Sequence, residues 1–321
     1  MLRAKAFQGL ARHQTMARPL PQTKPPAIAA AGAARLLHYG TATDRAPTVF
    51  VPSLINPPDI IDLTEGRSML RDLVAAGHNI HLVDWGAPSP EDADLDLAAH
   101  VTRRLAPLLA ALHQPPILVG YCLGGTIAIG ATAALPVRAL ATLAAPWRFD
   151  RLAAEDRAAV ANLWEAGKAI CERLGYVPME LLQSGFWALD PKRTIRKYAV
   201  FADTTAGSAE ERAFLAVEDW ANAGPPLPFA AGRDLFERLY AGNETGDGSW
   251  AVGGVAVDPA ALSMPTLSIA STADRIVPAA IAPPLREQRL VDLGHVGMVV
   301  SARAREALWQ PLSDWLSRQG G

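Results

Sequence analysis

The stretch "ILVGYCLGGTIAIGATAAL", residues 117–135, decides how this 321-residue chain is interpreted. It begins as a short apolar run, breaks at Gly-Tyr-Cys-Leu-Gly over 120–124, and continues with small residues at helical spacing. This pattern predicts a strand, a sharp turn and a helix.

The spacing is that of the nucleophile elbow, Gly-x-Ser-x-Gly, with Cys122 in place of serine. At such an elbow the nucleophile is strained, and Gly120 and Gly124 leave room for the neighbouring strand and helix. The helix N-terminus would favour the thiolate of Cys122.

The elbow lies within a longer alternation of strand-like and helical segments. Apolar runs occur at "TVFVPSLI", "NIHLVDWG", "ILVGYC" and "ALATLAAP", separated by amphipathic segments such as "RSMLRDLVAAG". This alternation predicts a parallel sheet covered by helices on both faces. Residues 150–255 contain helical and loop patterns, after which "PTLSIAST" and "RLVDLG" resume the strand pattern. We therefore predict an α/β core over 44–149 and 256–321 with a mostly helical cap inserted over 150–255.

The first 43 residues have a different composition from the rest of the chain. They contain several prolines, no acidic residue, and the basic residues Arg3, Lys5, Arg12, Arg18, Lys24 and Arg35. This composition predicts a loosely packed N-terminal arm over 1–43. Attachment of the basic arm to an anionic surface or partner is the alternative.

Composition excludes several classes of protein. Half of the residues are hydrophobic and 19% are charged, as in a soluble globular protein. The formal net charge of -2 gives no general attraction to nucleic acid. No apolar run reaches the length of a transmembrane segment. The two cysteines, Cys122 and Cys171, form neither a disulfide framework nor a zinc motif, so we expect a cytoplasmic protein that holds no metal.

An elbow nucleophile needs a histidine that moves its proton and an acid that orients the histidine, in the chain order nucleophile, acid, histidine. His295, in "VDLGHVGMVV", is the one histidine downstream of Cys122. Asp274, in "IASTADRIVP", directly follows a predicted strand and is the preferred acid. Asp84 and Asp292 are the competing candidates.

The same architecture requires two backbone N–H groups that stabilise an oxyanion, one from the residue after the nucleophile and one from the loop after an earlier strand. The first is predicted to be that of Leu123. The second is predicted to be that of Leu54, in "FVPSLINPP", with Ile55 as the neighbouring alternative.

Several motifs, in the same order along the chain, resemble those of the polyhydroxyalkanoate (PHA) synthase family. The resemblance is greatest to the short catalytic subunits of two-component synthases. The motifs are "VPSLINPPDIIDLTEGRSMLRDLVAAGHNIHLVDWG", "GYCLGGT", "FLAVEDWAN", "TADRIVP" and "GHVGMVVS". The resemblance covers roughly residues 47–318. It implies an α/β-hydrolase fold in which Cys122, Asp274 and His295 match the catalytic positions of the family.

The resemblance also implies an activity. In such enzymes the cysteine takes an (R)-3-hydroxyacyl group from a coenzyme A (CoA) thioester, and the hydroxyl of another monomer extends the chain. His295 would deprotonate Cys122, and Asp274 would orient His295 or help to activate the hydroxyl. CoA enters as part of the substrate, and neither a metal nor a redox cofactor is implied. A homodimer or a second synthase subunit, and the surface of a PHA granule, are the implied partners.

Fold and nucleophile do not determine the acceptor. With water as acceptor, the same triad gives an acyl-CoA thioesterase or an intracellular PHA depolymerase. A catalytically silent granule- or partner-binding protein is the other alternative, and the intact triad argues against it. In the cap, the basic segment 192–197 could meet CoA phosphates, although a solvated helix face is the favoured interpretation. Packing is likewise favoured over an acyl tunnel for the cap tryptophans Trp164, Trp187, Trp220 and Trp250.

Overall fold

The structure, a computed structural model, describes residues 1–18, 22–40 and 44–320. Its strands are β1 (Ala27–Ala31), β2 (Ala34–Tyr39), β3 (Pro47–Val51), β4 (Asp62–Thr64), β5 (Arg67–Ser68), β6 (Asn79–Asp84), β7 (Ile117–Tyr121), β8 (Ala139–Leu143), β9 (Tyr176–Val177), β10 (Leu227–Pro228), β11 (Ala251–Val252), β12 (Val255–Ala256), β13 (Thr266–Ser271) and β14 (Glu287–Val291). Within the described residues, eight strands form one sheet in the order β1-β2-β6-β3-β7-β8-β13-β14. In this sheet β6, β3, β7, β8, β13 and β14 run parallel to one another. Strand β2 pairs antiparallel with β1 and β6.

The helices connect these strands and build the cap. They are α1 (Leu2–Thr15), α2 (Met69–Ala75), α3 (Leu97–Ala99), α4 (Ala106–Leu109), α5 (Leu123–Ala134), α6 (Ala154–Leu174), α7 (Met179–Leu189), α8 (Pro191–Phe201), α9 (Ala209–Ala221), α10 (Phe229–Arg233), α11 (Gly297–Val300) and α12 (Gln310–Gln319). Segments of π-helix extend some of them, namely His100–Leu105, Asp234–Ala241 and Arg305–Trp309. None of the helices in the described part of the chain combines the length and apolar character that a bilayer crossing requires.

The central strands read as continuous apolar runs because the sheet is buried on both faces. In β3, Val49 and Val51 belong to an apolar cluster that includes Ile127 of α5. Phe50, between them, belongs to a second cluster that includes Leu70 of α2. Successive side chains of a strand point to opposite faces, so the two clusters are the cores above and below the sheet. The predicted α/β architecture is confirmed.

The topology places the loops after β7, β13 and β14 at one edge of the sheet, because the carboxyl ends of parallel strands meet there. The chain between β8 and β13 contains α6 to α10 and forms the predicted helical insertion. Trp250, near the end of this insertion, is fully buried against the core helix α5, where it contacts Gly130. The insertion is therefore anchored on the core before the chain re-enters the sheet.

The structure corrects the prediction of a loosely packed arm over 1–43. Residues 27–39 form the β1–β2 hairpin at the edge of the main sheet, so the α/β core begins well before residue 44. Helix α1 packs against α8 of the cap. Arg12 donates to the backbone oxygens of Phe201, at 3.2 Å, and Thr204, at 2.7 Å, at the C-terminal end of α8. The predicted arm also includes residues 19–21 and 41–43, which lie outside the described residues.

Basic residues of the N-terminal segment pair with carboxylates of this same chain. The pairs are Lys5 with Asp203, Arg12 with Glu211, Arg18 with Asp219, and Lys24 with Asp59 and Asp84. The basic composition that suggested an external anionic surface is thus accounted for, at these positions, by intramolecular partners. A charge pattern in one segment does not reveal a partner that is remote in sequence.

Candidate active site

The structure places Cys122 in a sharp turn between β7 and α5. Its backbone angles, φ 53° and ψ −130°, lie in a region that residues other than glycine rarely adopt. Two hydrogen bonds hold the turn, from the Cys122 N–H to the Leu143 oxygen at 2.9 Å and from the Gly125 N–H to the Cys122 oxygen at 2.8 Å. The strained backbone therefore presents the sulfur at the edge of the sheet, next to the first turn of a helix.

The two flanking glycines allow close approaches of backbone to backbone. A Cβ atom at Gly120 would lie 2.6 Å from the carbonyl oxygen of Gly124. A Cβ atom at Gly124 would lie 2.5 Å from the carbonyl carbon of Pro52, in the loop after β3. Both distances are shorter than van der Waals contact. Gly124 thus lets α5 approach the loop on which Leu54 lies.

Asp274 and His295 meet at the same edge of the sheet. His295 Nδ1 lies 2.6 Å from Asp274 Oδ2, and both side chains are buried. The other oxygen of Asp274 accepts the backbone N–H groups of Ile276, at 2.8 Å, and Val277, at 2.9 Å. These bonds fix the carboxylate, which in turn fixes the orientation of the imidazole ring.

The two competing acids have other positions. Asp84 Oδ2 accepts a hydrogen bond from Lys24 Nζ at 2.8 Å, and its Oδ1 accepts the N–H of Gly86. Asp292 is exposed. The structure therefore brings Asp274, and neither alternative, to the histidine.

Cys122 and His295 line the same cavity. Since Nδ1 is bound to Asp274, Nε2 is the ring nitrogen left for the sulfur. Burial alone would lower the pKa of His295, but the adjacent Cys122 sulfur and the Asp274 carboxylate outweigh burial and raise this pKa to about 10. The site therefore favours the protonated form of His295 next to Cys122, and such a histidine can activate a cysteine nucleophile.

Tyr121 supports the histidine and was missed by the sequence analysis. Its ring stacks on the His295 ring, with centroids 5.2 Å apart, and its hydroxyl donates to the His295 backbone oxygen at 3.2 Å. Burial raises the pKa of Tyr121 well above its ordinary value, which keeps the hydroxyl a neutral donor. The available signal was its place in the elbow, directly before Cys122.

The predicted oxyanion donors lie in the first turn of α5 and in the loop after β3. Leu123 is the first residue of α5, so its N–H has no acceptor within the helix. In the loop after β3, the N–H of Ile55 is engaged by Ser53 Oγ at 3.0 Å. Leu54 stays the predicted donor, although Ile55 is the neighbour that lines the cavity with Cys122. The side chains of Leu54 and Leu123 are buried in one apolar cluster, which anchors both backbone segments.

A cavity of about 220 Å³ lies between the core and the cap, with Cys122 and His295 on its wall. The cap supplies most of the remaining wall from α7, α8 and α9. Among the described residues, no group of three or more His, Cys, Asp or Glu side chains is placed to hold a metal ion.

The tryptophans of the cap divide into two pairs. Trp164 and Trp250 are buried in the packing, as predicted: Trp164 stacks on Phe236 with centroids 4.8 Å apart. Trp187 and Trp220 instead line the cavity, and Trp187 is 56% exposed. The packing interpretation is therefore wrong for Trp187 and incomplete for Trp220.

The basic residues of α8 also differ in position, since some are exposed to solvent and some line the cavity. Lys192, Arg193 and Arg196 are exposed, as a solvated helix face requires. Arg193 and Lys197 line the cavity, and Lys197 pairs with the buried carboxylate of Glu218. The interpretation as a solvated face thus holds for one side of α8 only.

Known proteins share this fold and this sequence pattern. A family model described as "Alpha/beta hydrolase family" matches residues 36–308. The chain belongs to this family. Two solved structures have the same fold, each with a TM-score of 0.53. One is a thermophilic esterase from Thermogutta terrifontis, at 16% identity over 94% of this chain and 100% of that one. The other is a putative aryl esterase from Burkholderia cenocepacia, at 14% identity over 94% and 99%.

The sequence relatives are more informative about the branch of the family. Poly(3-hydroxyalkanoate) polymerase subunit PhaC of Haloferax mediterranei is 30% identical over 309 residues, which cover 89% of this chain and 62% of the relative. The subunit of the same description from Allochromatium vinosum is 28% identical, with 85% and 81% covered. The chain thus spans less than two thirds of the haloarchaeal relative. The predicted resemblance to the PHA synthase family is confirmed.

Proposed function

We propose that this α/β-hydrolase-family protein is an acyltransferase of the PHA synthase type. It transfers (R)-3-hydroxyacyl groups from CoA thioesters to a growing polyester. The observation that carries the proposal is the position of the elbow residue Cys122 and of His295, which Asp274 orients, on the wall of one cavity. The similarity to polymerase subunits supplies the substrate class.

Acylation follows from this geometry. His295 Nε2 accepts the thiol proton, and the Cys122 thiolate attacks the thioester carbonyl carbon. The backbone N–H groups of Leu123 and Leu54 stabilise the oxyanion that forms. The carbon–sulfur bond to CoA then breaks, and the imidazolium returns its proton to the departing thiolate. The products are free CoA and an acyl group held on Cys122 as a thioester.

Chain extension uses the same groups in a second transfer. The hydroxyl of an incoming hydroxyacyl unit loses its proton to His295 as its oxygen attacks the acyl-enzyme carbonyl. The new ester bond forms while the bond to sulfur breaks, and the proton returns to Cys122. A sulfur nucleophile suits this cycle because thiol and thioester exchange with little change in bond energy, and thiolates leave readily.

The proposal extends to partners and location. The relatives are described as polymerase subunits, which supports a second copy of the chain or a second synthase subunit as a partner. A polyester product would separate from water, so we place the protein in the cytoplasm at the granule surface. CoA serves as the leaving group of the substrate, without a resident cofactor.

One incubation tests the activity and separates the alternatives. Purified protein is mixed with (R)-3-hydroxybutyryl-CoA, release of free CoA thiol is followed, and the acyl product is identified by mass spectrometry. Polymer is the expected product. Free 3-hydroxybutyrate would instead identify a thioesterase, and absence of both CoA release and Cys122 acylation would identify a silent protein. We expect Cys122→Ala to abolish CoA release while the protein stays folded, and Cys122→Ser to retain a trace.

A further inference from the structure

An ion pair with a buried carboxylate lies on the wall of the catalytic cavity. Lys197 Nζ is 2.7 Å from both carboxylate oxygens of Glu218, and the Tyr198 hydroxyl donates to Glu218 Oε2 at 2.9 Å. The side chain of Glu218 is 6% exposed, whereas that of Lys197 is 30% exposed. Lys197 and Glu218 line the same cavity as Cys122 and His295.

Stability does not explain this pair. Removing two charges from water costs free energy that their attraction only partly offsets, and apolar residues of similar volume often stabilise a fold equally well. The surrounding wall is apolar to a large extent and includes Ile55, Phe186, Val217, Trp220 and Val296. A charged pair at this position therefore calls for a role toward what enters the cavity.

Lys197 retains a donor that the protein does not require. An ammonium group has three N–H donors, and two suffice for the two oxygens of Glu218. Several other polar side chains of the wall are engaged by the chain. The amides of Asn56 and Gln183 both donate to the Ala221 oxygen at the end of α9, and Asp190 accepts Arg275 at 3.1 Å. Glu218 holds the ammonium at the cavity surface with a donor to spare.

We propose that Lys197, oriented by Glu218 and Tyr198, donates a hydrogen bond to the 3-hydroxyl oxygen of the acyl group and so selects hydroxyacyl over plain acyl thioesters. The inference rests on the proposed function. In an acyl group held on Cys122, the 3-hydroxyl lies only a few bonds from the sulfur and hence inside this cavity. A site that binds a hydroxyl rejects the analogue without one, because a desolvated donor is then left unpaired.

The test compares two substrates that differ only in the hydroxyl. The rate of Cys122 acylation is measured with (R)-3-hydroxybutyryl-CoA and with butyryl-CoA, and the ratio of the two rates is the readout. Lys197→Met combined with Glu218→Gln removes both charges together, so neither is left buried alone. We expect the ratio to fall about tenfold or more. Lys197→Arg, which keeps a charged donor, should retain most of the ratio.

A matched control exists elsewhere in the cap. Lys168 Nζ lies 2.6 Å from Glu237 Oε1, and neither residue lines the catalytic cavity. Lys168→Met combined with Glu237→Gln should therefore leave the ratio unchanged. If the cavity double variant fails to fold, Tyr198→Phe removes one bond to the carboxylate and should lower the ratio by a smaller factor.

Two outcomes overturn the inference. Equal losses toward both thioesters, with an unchanged ratio, would reduce Lys197 and Glu218 to a structural pair while leaving the proposed acyltransfer intact. Failure of the unmodified protein to form an acyl-enzyme from either thioester would instead remove the proposed function, and the inference with it.

Discussion

Replacement of Gly124 by alanine tests how the elbow and the predicted oxyanion loop fit together. The added Cβ would lie 2.5 Å from the carbonyl carbon of Pro52, whereas carbon atoms in contact are about 3.5–4.0 Å apart. Helix α5 and the loop after β3 must therefore separate by about 1 Å. The N–H of Leu54 lies on that loop, so the separation moves it away from the developing oxyanion.

The expected losses follow from that displacement. A misplacement of about 1 Å near reacting groups lowers a rate by about 100-fold. We therefore expect kcat/KM for (R)-3-hydroxybutyryl-CoA to fall about 100-fold in the Gly124→Ala variant. Forcing a methyl group into this packed junction should also destabilise the fold by about 1–3 kcal/mol in thermal or urea unfolding.

A second measurement separates the oxyanion site from the nucleophile. Alkylation of Cys122 by iodoacetamide needs the thiolate but no oxyanion donors, so its rate should change little in Gly124→Ala. Gly66→Ala is the matched control, because a Cβ at Gly66 meets no atom within 4 Å. Retention of full kcat/KM in Gly124→Ala would refute the reasoning. A parallel loss of alkylation would refute it as well, since the damage would then lie at the sulfur.

Three further predictions follow from named contacts. Asp274→Asn should lower kcat about 10⁴-fold in steady-state assays, because an amide neither stabilises the imidazolium of His295 nor fixes its tautomer; less than about a tenfold loss would contradict that role. Because Cys122 and Asp274 outweigh the effect of burial and raise the pKa of His295 from 6.5 to about 10, its stabilising contribution is fully present below pH 6.5 and is lost as the pH rises through about 10. Cys122→Ala should lower this pKa in an NMR titration, and an unchanged value would show that the sulfur is not the cause. A Cβ at Gly9 would lie 2.8 Å from a carbonyl carbon of α8, so Gly9→Leu should release α1 and speed hydrogen exchange over residues 191–201. Phe7→Ala, at an exposed position, is the control. Hydrogen exchange in Gly9→Leu as slow as in the unmodified protein would contradict the packing of α1 on α8.

The parts of the fold that could be predicted are those that the residue pattern of a short segment indicates by itself. Each central strand is apolar on both faces, so its run of residues is visible without knowledge of its neighbours. The chain order of Cys122, Asp274 and His295, together with the place of Asp274 directly after a predicted strand, selected the three residues that line or support one site in the structure. The geometry of the elbow is equally local. Gly120 and Gly124 are required because backbone atoms a few residues away, or in the adjacent loop, approach them closely.

The features that were missed depend on partners remote in sequence. From sequence alone, helix α1 is predicted to be part of a basic, proline-rich arm. The reason is that its carboxylate partners, such as Glu211, lie some two hundred residues away. Likewise, nothing in "DPKRTIRKY" distinguishes Lys197, which meets Glu218 in the cavity, from the exposed Arg196. The sequence indicates which residues carry charge, but the packing of α8 on α9 decides which of them enter the site.

Helix α9 links these missed features to the catalytic loop. In three successive residues, Glu218 lies on the cavity wall, Asp219 pairs with Arg18 near the N-terminal helix, and Trp220 donates to the Pro57 oxygen at 2.7 Å. Pro57 belongs to the loop after β3, on which the predicted oxyanion donor also lies. A displacement of α9 would therefore disturb the substrate wall and the oxyanion loop together. The described residues of the N-terminal segment do not line the cavity. Because Arg18 pairs with this helix, we expect the segment to influence the chemistry indirectly.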